Sequence, residues 1–213
     1  MRSRALFRER TANLLKMFAY SVGPGRFYRP AYDALAERVA DEGGPFLEVG
    51  CGPGGLVRAV AHRLPSAICV GIDRNPSVVT KARSLTSSAN SATFEVMDGE
   101  EMVFDDGMFQ CVVALQSMFH WHDRLAVLRQ IRRVLASGGV LMLIQADPAA
   151  DIPGGWINRR AGWPTDRVLR YRWGRYRPEQ SFLDALPCRL EELGFTEISV
   201  QTHGFYTVWS ARK

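Results

Sequence analysis

Three acidic side chains and one glycine-rich turn stand where chemistry could be done. Glu48, Asp73 and Asp98 lie at or next to the ends of three short apolar runs, Phe46–Val49, Ala67–Ile72 and Ala92–Met97. The first run feeds Gly50-Cys51-Gly52-Pro53-Gly54-Gly55. Glycine has no Cβ, so such a turn lets backbone approach a nucleotide-like ligand closely. The GxGxxG spacing of Gly50, Gly52 and Gly55 is a weak signal by itself. Asp73, 18 residues beyond Gly55, stands where a carboxylate can accept both hydroxyls of a ribose. Asp98 can face an adenine edge, and Glu48, beneath the turn, can position an amino group directly or through its neighbours. Any one of these acids would serve equally well as a helix cap or a solvated strand end. The reading rests on all three.

A second group follows the apolar run Gln110–Leu115, in Gln116-Ser117-Met118-Phe119-His120-Trp121-His122. Phe119 and Trp121 could stabilise a nearby cation by ~0.5–2 kcal/mol, or simply pack at a helix start. His120 is the candidate general base for a bound hydroxyl or protonated amine, since imidazole titrates near neutral pH. A structural or hydrogen-bonding role suits it too, and a carboxylate partner would need no base. His122-Asp123 also reads as a helix start with Asp123 as cap.

These residues need a frame that brings strand ends together. Strands are expected at 46–49, 67–72, 92–97, 110–115 and 140–144, alternating with helices at 56–64, after Asn75-Pro76, and at 123–135. The last of these helices should stop at Ser137-Gly138-Gly139. Helical sequence at 178–193 is interrupted at Pro187 and stopped by Gly194. Strands at 197–202 and 205–211, joined by His203-Gly204, must run antiparallel. The expected fold is α/β, a doubly wound, mainly parallel, seven-stranded Rossmann-like sheet ending in an antiparallel hairpin. One domain should span residues 1–213. Residues 1–40 form its helical cap, with an amphipathic basic helix at 3–19, a break at Val22–Gly25 and a helix near 30–40.

Residues 147–177 break the rhythm. They interleave Trp156, Trp163, Tyr171, Trp173 and Tyr176 with Arg159, Arg160, Arg167, Arg170, Arg172, Arg175 and Arg177. A stretch of this kind reads as an inserted lid or binding segment, or as a solvated basic loop. The net charge of +5 and a sequence pI near 9.3 suit an anionic partner without specifying one. Four scattered cysteines offer no metal-ligand spacing and read as single buried thiols in a reduced compartment. No metal is expected. With no secretory h-region and no run of ~18 apolar residues, the chain is expected to be cytoplasmic.

Taken together, FLEVGCGPGG at Phe46–Gly55, Gly71-Ile72-Asp73, Met97-Asp98-Gly99, Phe104-Asp105-Asp106, the Leu115–Trp121 stretch and Val134–Gly139 resemble a class I S-adenosylmethionine-dependent methyltransferase. The resemblance covers roughly residues 30–145 and is greatest to small-molecule enzymes of the ubiquinone/menaquinone and trans-aconitate type. It implies S-adenosylmethionine as cofactor and S-adenosylhomocysteine as product. Gly50, Gly52 and Gly54 would cradle the methionine part, with Glu48 and Cys51 beside them. Asp73 would hold the ribose and Asp98 the adenine, with Arg74, Gly99 and Gln116 as lining positions. Phe119, Trp121, Arg159 and Arg170 become candidate contacts to an anionic or aromatic small-molecule acceptor. Three other readings are weaker. A nucleic-acid methyltransferase fits the arginines, yet the fourth strand ends in Leu115-Gln116-Ser117, not in the Asn/Asp-Pro-Pro-Tyr/Phe of amino-methylating nucleic-acid enzymes. A dinucleotide oxidoreductase leaves Glu48, Asp98 and the hairpin unexplained. A protein that binds the cofactor without turnover would show the same motifs.

Overall fold

The computed structural model describes residues 29–146, 179–203 and 206–213. Its strands are β1 (Phe46–Val49), β2 (Cys69–Asp73), β3 (Ala92–Val96), β4 (Phe109–Leu115), β5 (Leu135–Ala146), β6 (Thr196–His203) and β7 (Tyr206–Arg212). They form one sheet in the order β3-β2-β1-β4-β5-β7-β6. β1 to β5 are mutually parallel, and β7 is antiparallel to both of its neighbours. The chain builds outward from β1 through β2 to β3, then crosses to β4 on the other side of β1. The carboxyl ends of β1 and β4 therefore flank the point where strand order reverses, and a ligand crevice opens there.

Helices cover both faces, which is why the inner strands carry continuous apolar runs. One face buries Leu47, Val49, Ile72, Val112 and Leu143 under α4 (Arg124–Val134) and α5 (Gln180–Glu192). The other buries Phe46, Cys69, Cys111, Val113 and Met142 under α1 (Arg29–Glu42), α2 (Gly55–Arg63) and α3 (Pro76–Ser84). Two helix starts are capped as the sequence predicts. Asn75 Oδ1 accepts the Ser77 N–H at 3.0 Å, with Pro76 opening the helix, and Asp123 Oδ1 accepts the Ala126 N–H at 3.0 Å.

Three expectations are corrected. α4 ends at Val134 rather than at the Gly138-Gly139 pair, although Gly138 does take a positive φ. Lys213 is the cause: its Nζ donates to the Arg133 and Leu135 carbonyls at 3.2 and 2.6 Å, and its backbone pairs with Gly138 and Gly139. The chain thereby enters β5 at Leu135, five residues before the expected Val140. Pro187 does not interrupt α5, which runs through it. A mid-helix proline costs ~3 kcal/mol, but Leu183, Leu186 and Leu190 are all buried, each contributing ~1.5–3 kcal/mol. Cys188, expected to be buried, is exposed, whereas Cys51, Cys69 and Cys111 are buried; none of the four is in a disulfide. Burial pushes the Cys69 thiol up to about 11. The helix at 3–19 and the segment at 147–177 lie outside the described residues.

Candidate active site

The glycine turn hangs from β2. Gly50 and Cys51 both donate their N–H to the Ile72 carbonyl, at 2.8 and 2.9 Å. Gly52 N–H donates to Asp73 Oδ2 at 3.1 Å, while Asp73 Oδ1 accepts from Asn75 N–H at 2.9 Å. Gly50, Gly52 and Gly54 all have positive φ, at 77°, 53° and 74°. A Cβ on Gly50 would stand 2.4 Å from Ser117 Cβ, and one on Gly54 would stand 2.3 Å from the Phe94 ring. These two glycines are demanded by the fold itself. Gly52 differs, because a Cβ there meets nothing within 4 Å. Its open side is free for a ligand. Gly52→Ala should therefore cost only the ~1–2 kcal/mol of placing a side chain in the left-handed region, and yet weaken cofactor binding about tenfold, equivalent to ~1.4 kcal/mol. Denaturant unfolding and calorimetric titration would separate the two; an unaltered affinity would show that the ligand does not lie over Gly52.

Glu48 is 3% exposed, and its Oε2 has no hydrogen-bond partner. Burial holds its carboxyl well above the usual carboxylate range; the Val57 backbone N–H opposes that rise, the Asp73 charge adds to it and the Arg58 guanidinium again opposes it. Arg58 is itself fastened under the turn, donating to the Pro53 carbonyl at 2.7 Å. An orphaned buried carboxylate oxygen fits a ligand group that brings an N–H or a positive charge. Cys51 is also buried, and desolvation keeps its thiol protonated.

Across the switch point, the buried Ser117 donates its hydroxyl to the Val49 carbonyl at 2.7 Å and so clasps the ends of β4 and β1 together. Gln116 takes a φ of 54°, donates its N–H to the Ile144 carbonyl and accepts at Oε1 from Gln145 Nε2 at 2.8 Å. Phe119 and Trp121 are half-buried, and Trp121 packs on the core beneath α4 and α5. His120 is exposed, with its ring 4.1 Å from that of Phe119. Glu100 anchors this segment, accepting at Oε1 from the His122 and Asp123 N–H groups at 2.9 and 2.8 Å. Asp98 is exposed, and its Oδ1 accepts the Glu100 N–H at 3.0 Å. Gly99 packs against Val49 and Val127, and Arg74 is exposed.

The turn, Glu48, Asp73 and Gln116 thus gather at the carboxyl ends of β1, β2 and β4. Arg159 and Arg170 lie outside the described residues. Sequence reasoning passed over Arg58, Glu100, Ser117 and Gln145. Gln145 alone left a signal, as a polar residue ending the apolar run Val140–Ile144. A surface cleft of about 540 Å³ beside Pro45, Arg63 and Ile68 lies at the opposite end of the strands and gathers no such groups. Among the described residues no cluster of His, Cys, Asp or Glu could hold a metal, and no helix is long and apolar enough to cross a membrane.

Residues 47–143 match the family model described as "Methyltransferase domain". That stretch is similar to a class I methyltransferase domain. The chain is 33% identical over 101 residues to tocopherol O-methyltransferase of Arabidopsis thaliana, an alignment covering 46% of the chain and 29% of that protein. It is 36% identical over 123 residues to the ubiquinone biosynthesis O-methyltransferase of Xanthomonas campestris, covering 55% of the chain and 50% of that protein. The chain thus spans half or less of the length of these two relatives. Solved structures share its fold. A protein of Methanococcus maripaludis assigned to the S-adenosylmethionine-dependent methyltransferases superposes with a TM-score of 0.72 at 18% identity, over 95% of this chain and 91% of that one. The plantazolicin methyltransferase BpumL, solved with S-adenosylhomocysteine, gives 0.71 at 11% identity over 95% and 90%. The [4+2]-cyclase SpnF gives 0.61 at 21% over 85% and 81%. S-adenosylmethionine is the cofactor of the methyltransferase family, and the open face of Gly52, the unpartnered Glu48 oxygen and Asp73 fit such a molecule.

Proposed function

We propose that this protein is a methyltransferase that transfers a methyl group from S-adenosylmethionine to a small-molecule acceptor of aromatic or anionic type. The observation that carries the reading is the cradle itself: Glu48 Oε2 buried without a partner, Gly52 open above the turn, and Asp73 at the end of the adjacent strand. When bound, S-adenosylmethionine supplies a methyl group already activated on a sulfonium. Glu48, Gly50, Cys51, Gly52 and Gly54 hold its methionine part, and the Asp73 oxygens accept from the ribose hydroxyls. Asp98, Gly99 and Arg74 line the adenine side, and Gln116 stands where donor and acceptor meet. Phe119 and Trp121 hold an aromatic acceptor and favour positive charge nearby by ~0.5–2 kcal/mol. His120 takes the proton of a hydroxyl or ammonium acceptor, and Arg159 and Arg170 pair with an anionic one. Holding the two reactants in line supplies roughly 7–11 kcal/mol of the barrier. The four unpaired cysteines suit a reducing compartment, and we place the reaction in the cytoplasm.

The same cradle suits a second reading, a protein that binds the cofactor and does not turn it over, since a fold does not by itself fix an activity. Incubation with methyl-labelled S-adenosylmethionine and a fractionated metabolite extract decides between them. Label should appear in a small-molecule product. Saturable S-adenosylhomocysteine binding with no labelled product in any fraction would assign the second reading, and absence of binding would remove both.

A further inference from the structure

Two carboxamides meet at the carboxyl ends of β4 and β5. Gln145 Nε2 donates to Gln116 Oε1 at 2.8 Å, and Gln145 is 5% exposed. One NH2 group and one carbonyl oxygen of the pair bond each other. Gln116 Nε2 and Gln145 Oε1 are both buried and both without a partner. Buried amide groups are nearly always satisfied by protein, water or ligand, so an orphaned donor beside an orphaned acceptor, at the mouth of a ligand crevice, marks a receiving site. Exchanging N and O in both side chains restores the same arrangement, with Gln116 Nε2 donating to Gln145 Oε1 and again one donor and one acceptor left over. Exchanging only one sets like atoms against each other and breaks the pair. In either intact form the pair offers one donor and one acceptor. A carboxylate can only accept, and it would meet the spare carbonyl oxygen with repulsion. A methyl ether cannot donate. A neutral hydroxyl does both.

We propose that Gln116 and Gln145 are specificity-determining residues that receive a neutral hydroxyl or phenol group of the methyl acceptor. The inference rests on the methyl-transfer reading above and narrows it from an aromatic or anionic acceptor to an uncharged, hydroxyl-bearing one. Placement supports it. Gln116 directly follows β4, its left-handed backbone is fixed by the Ile144 carbonyl, and Ser117 clasps the next position to β1. Phe119 and Trp121 come within five residues, so a ring can lie beside the group that reads its hydroxyl. Gln145 stands in register opposite Thr207 and shares its face of the sheet with Leu141 and Leu143. Nothing in that strand run other than Gln145 contributes a polar side chain between Val140 and Gln145.

The test uses the full chain saturated with S-adenosylhomocysteine and three probes of matched ring, phenol, methoxybenzene and benzoate, read by the side-chain amide NMR signals of Gln116 and Gln145. Phenol should move both signals and half-saturate at a concentration at least about tenfold below either other probe. Gln145→Met should erase that preference while S-adenosylhomocysteine still binds. Equal response to the three probes overturns the proposal, as does no response to phenol, which would leave a buried water as the only occupant. Should Gln145→Met not fold, the three-probe comparison on the unsubstituted chain still decides. Failure to bind S-adenosylhomocysteine removes methyl transfer and this inference together; binding without a phenol preference removes this inference alone.

Discussion

Asp73→Ala is expected to weaken S-adenosylhomocysteine binding at least 100-fold, roughly 2.7 kcal/mol, and to lower the stability of the unliganded protein by about 2 kcal/mol. Both effects arise from one carboxylate. Its two oxygens accept the N–H groups of Gly52 and Asn75, and hydrogen bonds to a charged acceptor are each worth ~1.5–3 kcal/mol before solvent screening at this half-buried position reduces them. The same carboxylate is the one assigned to the ribose. Alanine therefore removes the ligand contact and lets the tip of the turn drift. Asp73→Asn should do nearly as badly, because a carboxamide turns an N–H toward one of the two backbone donors. Titration calorimetry with denaturant unfolding checks both arms. Unchanged affinity in the alanine variant would sink the assignment of the ribose to Asp73.

Glu48→Gln should move stability and binding in opposite directions. In the folded, unliganded protein the carboxyl lies well above its usual range because burial disfavours the charge. The folded state then holds a proton that the unfolded chain has released. Stability is fully present below the ordinary carboxylate value and falls as pH rises from there toward the raised folded value, by up to about 1.4 kcal/mol per pH unit. The glutamine variant lacks that slope. It should match the parent under acid conditions and exceed it at alkaline pH. A positively charged ligand group, however, favours the ionised carboxylate, so the variant should bind S-adenosylhomocysteine at least about 30-fold more weakly, roughly 2 kcal/mol. Melting temperatures across pH, with and without ligand, read both signs. A parent and variant with the same pH profile would show that Glu48 is not the buried acid described.

What could be read before the structure follows physical range. Asn75 and Asp123 cap helices through neighbours two or three residues away, and periodicity alone places them. Glu48, Asp73 and Asp98 were identifiable because strand ends in such a sheet converge wherever the intervening residues run. Asp98 shows the limit, since its carboxylate also caps the turn leading to Glu100. The misreadings came from distant partners. α4 stops where Lys213 reaches its last carbonyls, and Pro187 is carried inside a helix by leucines buried against the core. Glu100 supports the His122-Asp123 start from 22 and 23 residues away, and Ser117 reaches Val49 across 68. No local pattern encodes such pairs. Gln145 follows the apolar run Val140–Ile144, and only its contact with Gln116 gives it chemical meaning.

The attachment of the glycine turn to Ile72 and Asp73 has a consequence for how the fold tolerates change. Three successive N–H groups, of Gly50, Cys51 and Gly52, are held by two adjacent residues of β2. The binding element is thus a two-strand unit, fastened at both ends of a loop of intervening chain. Insertions or deletions at the exposed Pro65-Ser66 connection leave all three attachments in place. The unit is portable: its geometry travels with β1 and β2, whatever length of chain joins them.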